Sequence, residues 1–141
     1  MEENGWGYLT DFSINQTSMK KGKYVDGFIL PIPKKKTAQY KKMAKEACEV
    51  WTKFGALDYK ECIIDDTKPQ HVTLTFAKLV KPKPGETVWF SFIVFKSRQH
   101  RDAVNKKVMA YFDKKYAKDE MQMPFDMKRF SYGGFKVEVG M

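Results

Sequence analysis

The segment TVWFSFIVFK, residues 87–96, is almost continuously apolar and lacks the polar alternation of a half-exposed strand. Successive side chains of a strand point to opposite faces, and here both sets are almost entirely apolar. One set contains Trp89, Ser91, Ile93 and Phe95, and the other contains Val88, Phe90, Phe92 and Val94. We therefore predict a central strand whose sheet is covered on both faces.

The remaining elements follow from apolar periodicity and from turn residues. Apolar positions spaced three and four apart predict two helices, with Gly55 ending the first and Ser97 capping the second. Gly133 and Gly134 indicate a bulge or a close backbone approach within the last strand. The predicted helices span 34–54 and 98 to about 116, and the other strands span 24–32, 57–64 and 128–139. Residues 71–80 are predicted to be partly extended, as a strand extension or a covering arm.

The predicted order of elements is strand, helix, strand, strand, helix, strand. This is the ferredoxin-like βαββαβ arrangement, an α+β fold with an antiparallel sheet and helices on one face. The second face of the sheet is apolar too and needs a cover. In one small domain the natural cover is another copy of the chain, so the pattern predicts a homodimer through the sheet face.

The length of 141 residues is typical of one domain, and we assign residues 24–141 to it. Residues 1–23 are predicted to form an N-terminal extension, because glycines and asparagines interrupt any long element there. This extension still carries Trp6, Phe12 and Ile14, which are unusual in a linker. It is predicted to add an edge strand, to lie across a groove, or to become ordered only in an assembly.

The formal net charge of +9 raises the question of nucleic-acid binding. Only three of the 26 basic residues are arginines, the side chain that contacts guanine and phosphate in a bidentate manner, so we expect nucleic-acid binding to be absent or non-specific.

No apolar run approaches the length of a membrane span, and the start of the chain lacks the apolar stretch of a secretory signal. Two cysteines, Cys48 and Cys62, make no disulfide framework. We expect a cytoplasmic protein without a metal or cofactor.

A string of short motifs resembles the YbaA-like bacterial proteins that carry domain of unknown function 1428. The resemblance covers residues 24–139, and Met127 stands where the family usually has glycine. It implies the dimeric α/β-barrel form of the ferredoxin-like fold, and it implies no activity. The motifs are YVDGFxxPxP, FGAL, GExVxFS, KSRxxRDxVN, MPFDxKR and YGGF, which begin at residues 24, 54, 85, 96, 123 and 132.

Asp26 is a lone carboxylate on an otherwise apolar strand. Burial would raise its pKa unless a cation or hydrogen-bond donors meet it. The first and last strands are neighbours in the predicted topology, so Lys136 is one candidate partner. Asp26 is then either a general base in a pocket or a satisfied structural carboxylate.

Two further sets of residues are candidates for a site. Asp126, Arg129 and Tyr132 are predicted to form an anion-binding corner, or else Asp126 and Arg129 form an ion pair at the entry to the last strand. His100 lies at the edge of a buried helix stripe. It is either an acid–base group or haem ligand that faces the sheet, or a half-buried structural histidine.

Three functions remain open on these grounds. The first is a homodimeric domain that binds a small molecule between helices and sheet. The second is a cofactor-independent or haem-using oxygenase or isomerase, which rests on fold analogy alone. The third is non-specific contact with nucleic acid through the lysine-rich helix face.

Overall fold

A four-stranded antiparallel sheet forms the frame of the structure, a computed structural model that describes residues 22–116 and 123–141. Nearly all of the predicted N-terminal extension, and residues 117–122, lie outside the described residues. The strands follow the spatial order β2-β3-β1-β4, which confirms an α+β fold with β3 in the interior of the sheet. They are β1 (Tyr24–Pro33), β2 (Asp58–Ile63), β3 (Glu86–Phe95) and β4 (Ser131–Lys136).

Three α-helices occur in the described part of the chain: α1 (Thr37–Lys53), α2 (Phe76–Val80) and α3 (Arg98–Lys115). Helix α1 ends as predicted, because Gly55 adopts a φ of 117°, which side-chain-bearing residues rarely tolerate. Helix α3 begins as predicted, since Ser97 Oγ accepts a hydrogen bond from the His100 backbone N–H at 3.0 Å. Met127 lies in a short 3₁₀ turn, Met127–Arg129, with an ordinary negative φ.

The main core lies between the sheet and helices α1 and α3. Side chains of β1 and β3 that point to this side interlock with the buried stripes of the two helices. Phe95 and Val108 are completely buried. The core consists of two clusters, one around Ile93, Phe95, Val104 and Val108, and the other around Leu30, Ile32, Tyr40 and Trp89.

The opposite side of the sheet is apolar and only partly covered. Its exposed or half-buried apolar side chains define what we call the open face: Val25, Ile29, Phe90, Phe92, Val94 and Phe135. Helix α2 lies against this face, with the Phe76 ring stacked on Phe90 at 6.3 Å between centroids. Helices therefore contact both faces, whereas the sequence pattern predicted them on one.

Two local predictions left alternatives open, and the structure decides between them. The segment 71–80 was expected to be partly extended, either as a strand extension or as a covering arm. Residues 76–80 form no strand extension; they are helical because Thr75 caps the turn and Lys81 closes it in a left-handed conformation. The segment covers the sheet through Phe76. A bulge at Gly133 and Gly134 was one alternative for the last strand. The β1–β4 register instead runs without interruption from Tyr24↔Lys136 to Ile29↔Ser131. The close approach that was the other alternative does occur, at Gly134.

Candidate functional site

Asp26 is buried in the centre of the sheet, with 1% of its surface exposed. Its Oδ1 accepts two hydrogen bonds at 2.8 Å, one from Arg101 Nη1 and one from the hydroxyl of Tyr132. Strand β1 supplies the carboxylate, the first turn of α3 supplies the guanidinium, and β4 supplies the phenol. We call these three residues the Asp26 cluster.

Arg101 is held on several sides. Its Nε donates to Asp102 Oδ1 at 2.7 Å, and its Nη1 also contacts the Tyr132 hydroxyl. The guanidinium lies over the ring of Tyr24, 5.0 Å from the ring centroid, which is a cation–π geometry. These contacts fix the guanidinium in one orientation, so that the cluster is a rigid feature.

Burial raises the pKa of Asp26 above its ordinary value. The hydrogen bond from Tyr132 and the charge of Arg101 act in the opposite direction, because both favour the ionised carboxylate. When Asp26 is ionised, its pair with Arg101 carries no net charge. Lys136, predicted as a partner of Asp26, lies opposite Tyr24 in the sheet and pairs with Glu138 at 2.8 Å instead.

Gly134 lies opposite Asp26 on β4 and leaves room for two phenols. A Cβ atom at this position would lie 2.8 Å from the Tyr132 hydroxyl oxygen and would collide with the Tyr24 hydroxyl. A side chain there would therefore displace both tyrosines. Glycine is needed here because the two phenols approach the backbone closely. Backbone conformation does not require it, since the φ of Gly134 is not positive.

A cleft of about 570 Å³ opens beside the Asp26 cluster, between the start of α3 and the ends of β1 and β4. Tyr24 and Gly134 belong to its lining and also contact the cluster, so the cluster forms the wall behind them. The volume is within the usual range for small-molecule sites. We define the cleft by Lys23, Tyr24, Arg98, Gln99, Gly134 and Lys136.

His100 points away from this cleft. Its Nδ1 accepts the Lys96 backbone N–H at 3.0 Å, and its ring packs edge-on against Phe95. A Cβ on Gly55 would lie 3.3 Å from its Nε2, so the ring is directed at the end of α1. Burial and the nearby charges of Lys96 and Lys107 lower the pKa of His100, which keeps the imidazole neutral at pH 7.

The predicted corner of Asp126, Arg129 and Tyr132 does not form. Arg129 Nη1 binds Glu86 Oε2 at 2.8 Å, and its Nη2 donates to the Lys81 carbonyl at 3.0 Å. Asp126 caps its own turn by accepting the Lys128 backbone N–H. Tyr132 belongs to the Asp26 cluster. Arg129 thus fastens the turn before β3, and the predicted Asp126–Arg129 ion pair is wrong.

A second carboxylate, on Glu61 of β2, was missed by the sequence analysis. It accepts hydrogen bonds from the hydroxyls of Tyr40 and Tyr59, each at 2.8 Å, and pairs with no cation among the described residues. Burial raises the pKa of Glu61, and the two hydrogen bonds offset part of this effect. The sequence carried no clear signal for this group, because Tyr40, one of its two hydrogen-bond donors, is 21 positions away along the chain.

Within residues 22–116 and 123–141, no cluster of three or more histidine, cysteine or acidic side chains is placed to hold a metal ion. Over the same ranges, no helix has the length and apolar character needed to span a membrane.

Comparison with known proteins gives a consistent result. A family model described as "Protein of unknown function (DUF1428)" matches residues 23–127. The chain is 41% identical over 114 residues to "Uncharacterized protein YbaA" of Escherichia coli strain K12, which is 81% of this chain and 95% of that protein. The protein of the same name from Shigella flexneri matches to the same extent. The similarity indicated by the motifs is confirmed.

We expect Arg101→Met to destabilise the protein by about 3–5 kcal/mol at neutral pH, because it leaves the buried Asp26 without its cation. The loss should be smaller in an Asp26→Asn background, where no charge remains to be compensated. Urea denaturation of the four variants of this cycle measures both. Lys60→Met, which breaks an exposed pair, should cost less than about 1 kcal/mol. Equal losses in the two backgrounds would contradict the assigned pair.

Glu61 should make stability depend on pH. Because burial raises its pKa above the ordinary 4.5, the native state holds this proton to a higher pH than the unfolded chain does. The stability that Glu61 contributes is therefore lost as the pH rises from 4.5 through the raised native value. Relative to the wild type, Glu61→Gln should become more stable over this interval. Denaturation midpoints at several pH values test this, with Glu138→Gln as the exposed control. A pH-independent difference would count against it.

Proposed function

The chain belongs to the DUF1428 family of proteins of unknown function, and from that premise we propose that it is a homodimeric domain that binds a small molecule between α3 and the sheet. The observation that carries this proposal is the juxtaposition of a rigid polar cluster and an open cleft. Asp26 is buried and accepts two hydrogen bonds directly behind the cleft wall that Tyr24 and Gly134 form. Convergent polar groups beside a concavity of this size are typical of ligand sites.

Binding is better supported than catalysis. A pocket that held both Asp26 and His100, or either of them with Arg129, would favour an enzyme, and none of these three residues lines the cleft. The space beneath α1 is occupied by side chains instead. Trp89 is 4% exposed and packs on Tyr40, while the Trp51 indole N–H donates to Asn105 at 2.9 Å. An oxygenase or isomerase that used this cleft would have to work without Asp26, His100 or Arg129 in the lining.

The homodimer is proposed from the open face. The strand order β2-β3-β1-β4, with α1 and α3 on one side, is compatible with a ferredoxin-like domain over residues 24–141. Phe90 and Phe92 are only half-buried, and Phe135 is 63% exposed. A second copy that packs sheet against sheet would remove this apolar surface from water.

The free thiols of Cys48 and Cys62 agree with a cytoplasmic location.

We expect light scattering at micromolar concentration to give twice the chain mass. Phe92→Lys should shift the protein to monomers, because a dimer would bury an unpaired ammonium at the centre of its interface. Met109→Lys is the matched control, as Met109 is 48% exposed on α3 and lies away from the open face. A monomeric wild type, or a Phe92→Lys dimer of unchanged affinity, would refute the proposed interface.

Native mass spectrometry of the full chain, purified from its own host, tests the ligand. We expect a dimer that retains a defined small mass. Gln99→Trp should remove that mass and leave the dimer intact, because the indole would fill the cleft. Gln39→Trp places the same side chain on an exposed position of α1 and should leave the mass bound. A bare dimer, or a mass that survives Gln99→Trp, would overturn binding in the cleft.

A further inference from the structure

All charged residues in the lining of the cleft are cations. Three cations from three parts of the fold belong to its lining: Lys23 before β1, Arg98 at the start of α3, and Lys136 at the end of β4. No acidic side chain is part of this lining. The other lining residues are uncharged: Tyr24, Ser97, Gln99, Gly134 and Val137.

The sheet brings two of these cations together. The Lys23 backbone N–H donates to the Phe95 carbonyl, and the Lys23 carbonyl accepts the Val137 N–H, each at 2.9 Å. Lys136 lies directly opposite Tyr24 in the β1–β4 register. Arg98 starts the helix that follows β3, whose last residue, Phe95, is the one that Lys23 binds. Backbone pairing therefore places Lys23 and Lys136 at neighbouring positions of adjacent strands, and both belong to the lining of the cleft.

The surrounding carboxylates do not cancel this charge. Behind the wall, Arg101 pairs with the buried Asp26 and also with Asp102, whose side chain is 62% exposed and therefore screened by water. Glu138 pairs with Lys136, but both side chains are about three-quarters exposed, at 73% and 74%. Water screens such a pair, so that an incoming anion can replace Glu138 at little cost.

We propose that the ligand of the cleft is a small organic acid, whose carboxylate or phosphate group is bound by Lys23, Arg98 and Lys136. This inference rests on the proposed function and names its ligand class. The guanidinium of Arg98 offers a planar fork that matches either anion, and the two lysines add charge from the sheet side. The ring of Tyr24 provides an apolar wall for the rest of the molecule.

The size of the cleft favours a small molecule over a polymer. A concavity of about 570 Å³ encloses a compact ligand, whereas polyanions are typically bound along extended basic surfaces. The groove between α1 and α3 also carries several lysines, but Glu46 and Glu49 alternate there with Lys42, Lys45 and Lys53. Charge of a single sign is found in the cleft and not in that groove.

The test is a titration of the full chain with inorganic phosphate, and separately with acetate, at constant ionic strength, followed by amide NMR. We expect saturable shifts at Gln99, Gly134 and Lys136. The double variant Arg98→Gln/Lys136→Gln should bind phosphate at least about tenfold more weakly, because each charge-assisted bond contributes roughly that factor. The double variant Lys42→Gln/Lys45→Gln removes the same charge from the groove and should bind as the wild type does.

Each other outcome has a definite meaning. The inference of an acidic ligand is wrong if phosphate and acetate cause no amide chemical-shift changes. It is also wrong if these changes are equal in Arg98→Gln/Lys136→Gln and in the wild type. If Gln99→Trp nevertheless releases a retained mass, the proposed function stands and its ligand is neutral. If a single-stranded oligonucleotide shifts the same amides at far lower concentration than phosphate, the cleft serves a polyanion, and the small-acid inference is wrong.

Discussion

The buried pair of Asp26 and Arg101 is the interaction on which the arrangement of this protein most depends. A carboxylate in the middle of a sheet is costly unless donors meet it, and its two donors come from α3 and β4. Arg101 and Tyr132 are 75 and 106 positions away along the chain. Satisfying one carboxylate therefore fixes the start of α3 and the register of β4 together, and Gly134 is the residue that makes room for this.

The buried Asp26 and the half-buried Glu61 illustrate how the environment assigns different roles to the same group. Asp26 is bound by a cation and a phenol, so its charge is balanced and its surroundings are rigid. Glu61 is bound by two phenols and by no cation among the described residues. Only these two hydrogen bonds offset the cost of burying its negative charge. The first arrangement is suited to forming the back wall of a binding site for anions. The second makes the stability of the core sensitive to pH.

The open face and the cleft lie on different sides of the sheet. Phe90 and Phe92 point away from α1 and α3, whereas Tyr24 and Gly134 belong to the side that those helices cover. Association through the open face would thus leave the cleft accessible. Helix α2 already shields part of the open face through Phe76, which narrows the surface left for a partner. The proposed assembly and the proposed ligand binding would in this way be physically separable.

The sequence by itself determined the strands, the two long helices, their caps at Gly55 and Ser97, and the family, because periodicity, capping and motif spacing are local properties. It also singled out Asp26 as a lone carboxylate on an apolar strand, and it named Tyr132 only as part of a corner with Asp126 and Arg129 that does not form. Tertiary structure alone decided that Asp26 and Tyr132 meet, that Arg101 joins them, and that Arg129 turns to Glu86. The physical reason is distance along the chain: no local pattern encodes which cation reaches a buried carboxylate, because packing of whole elements brings the two together.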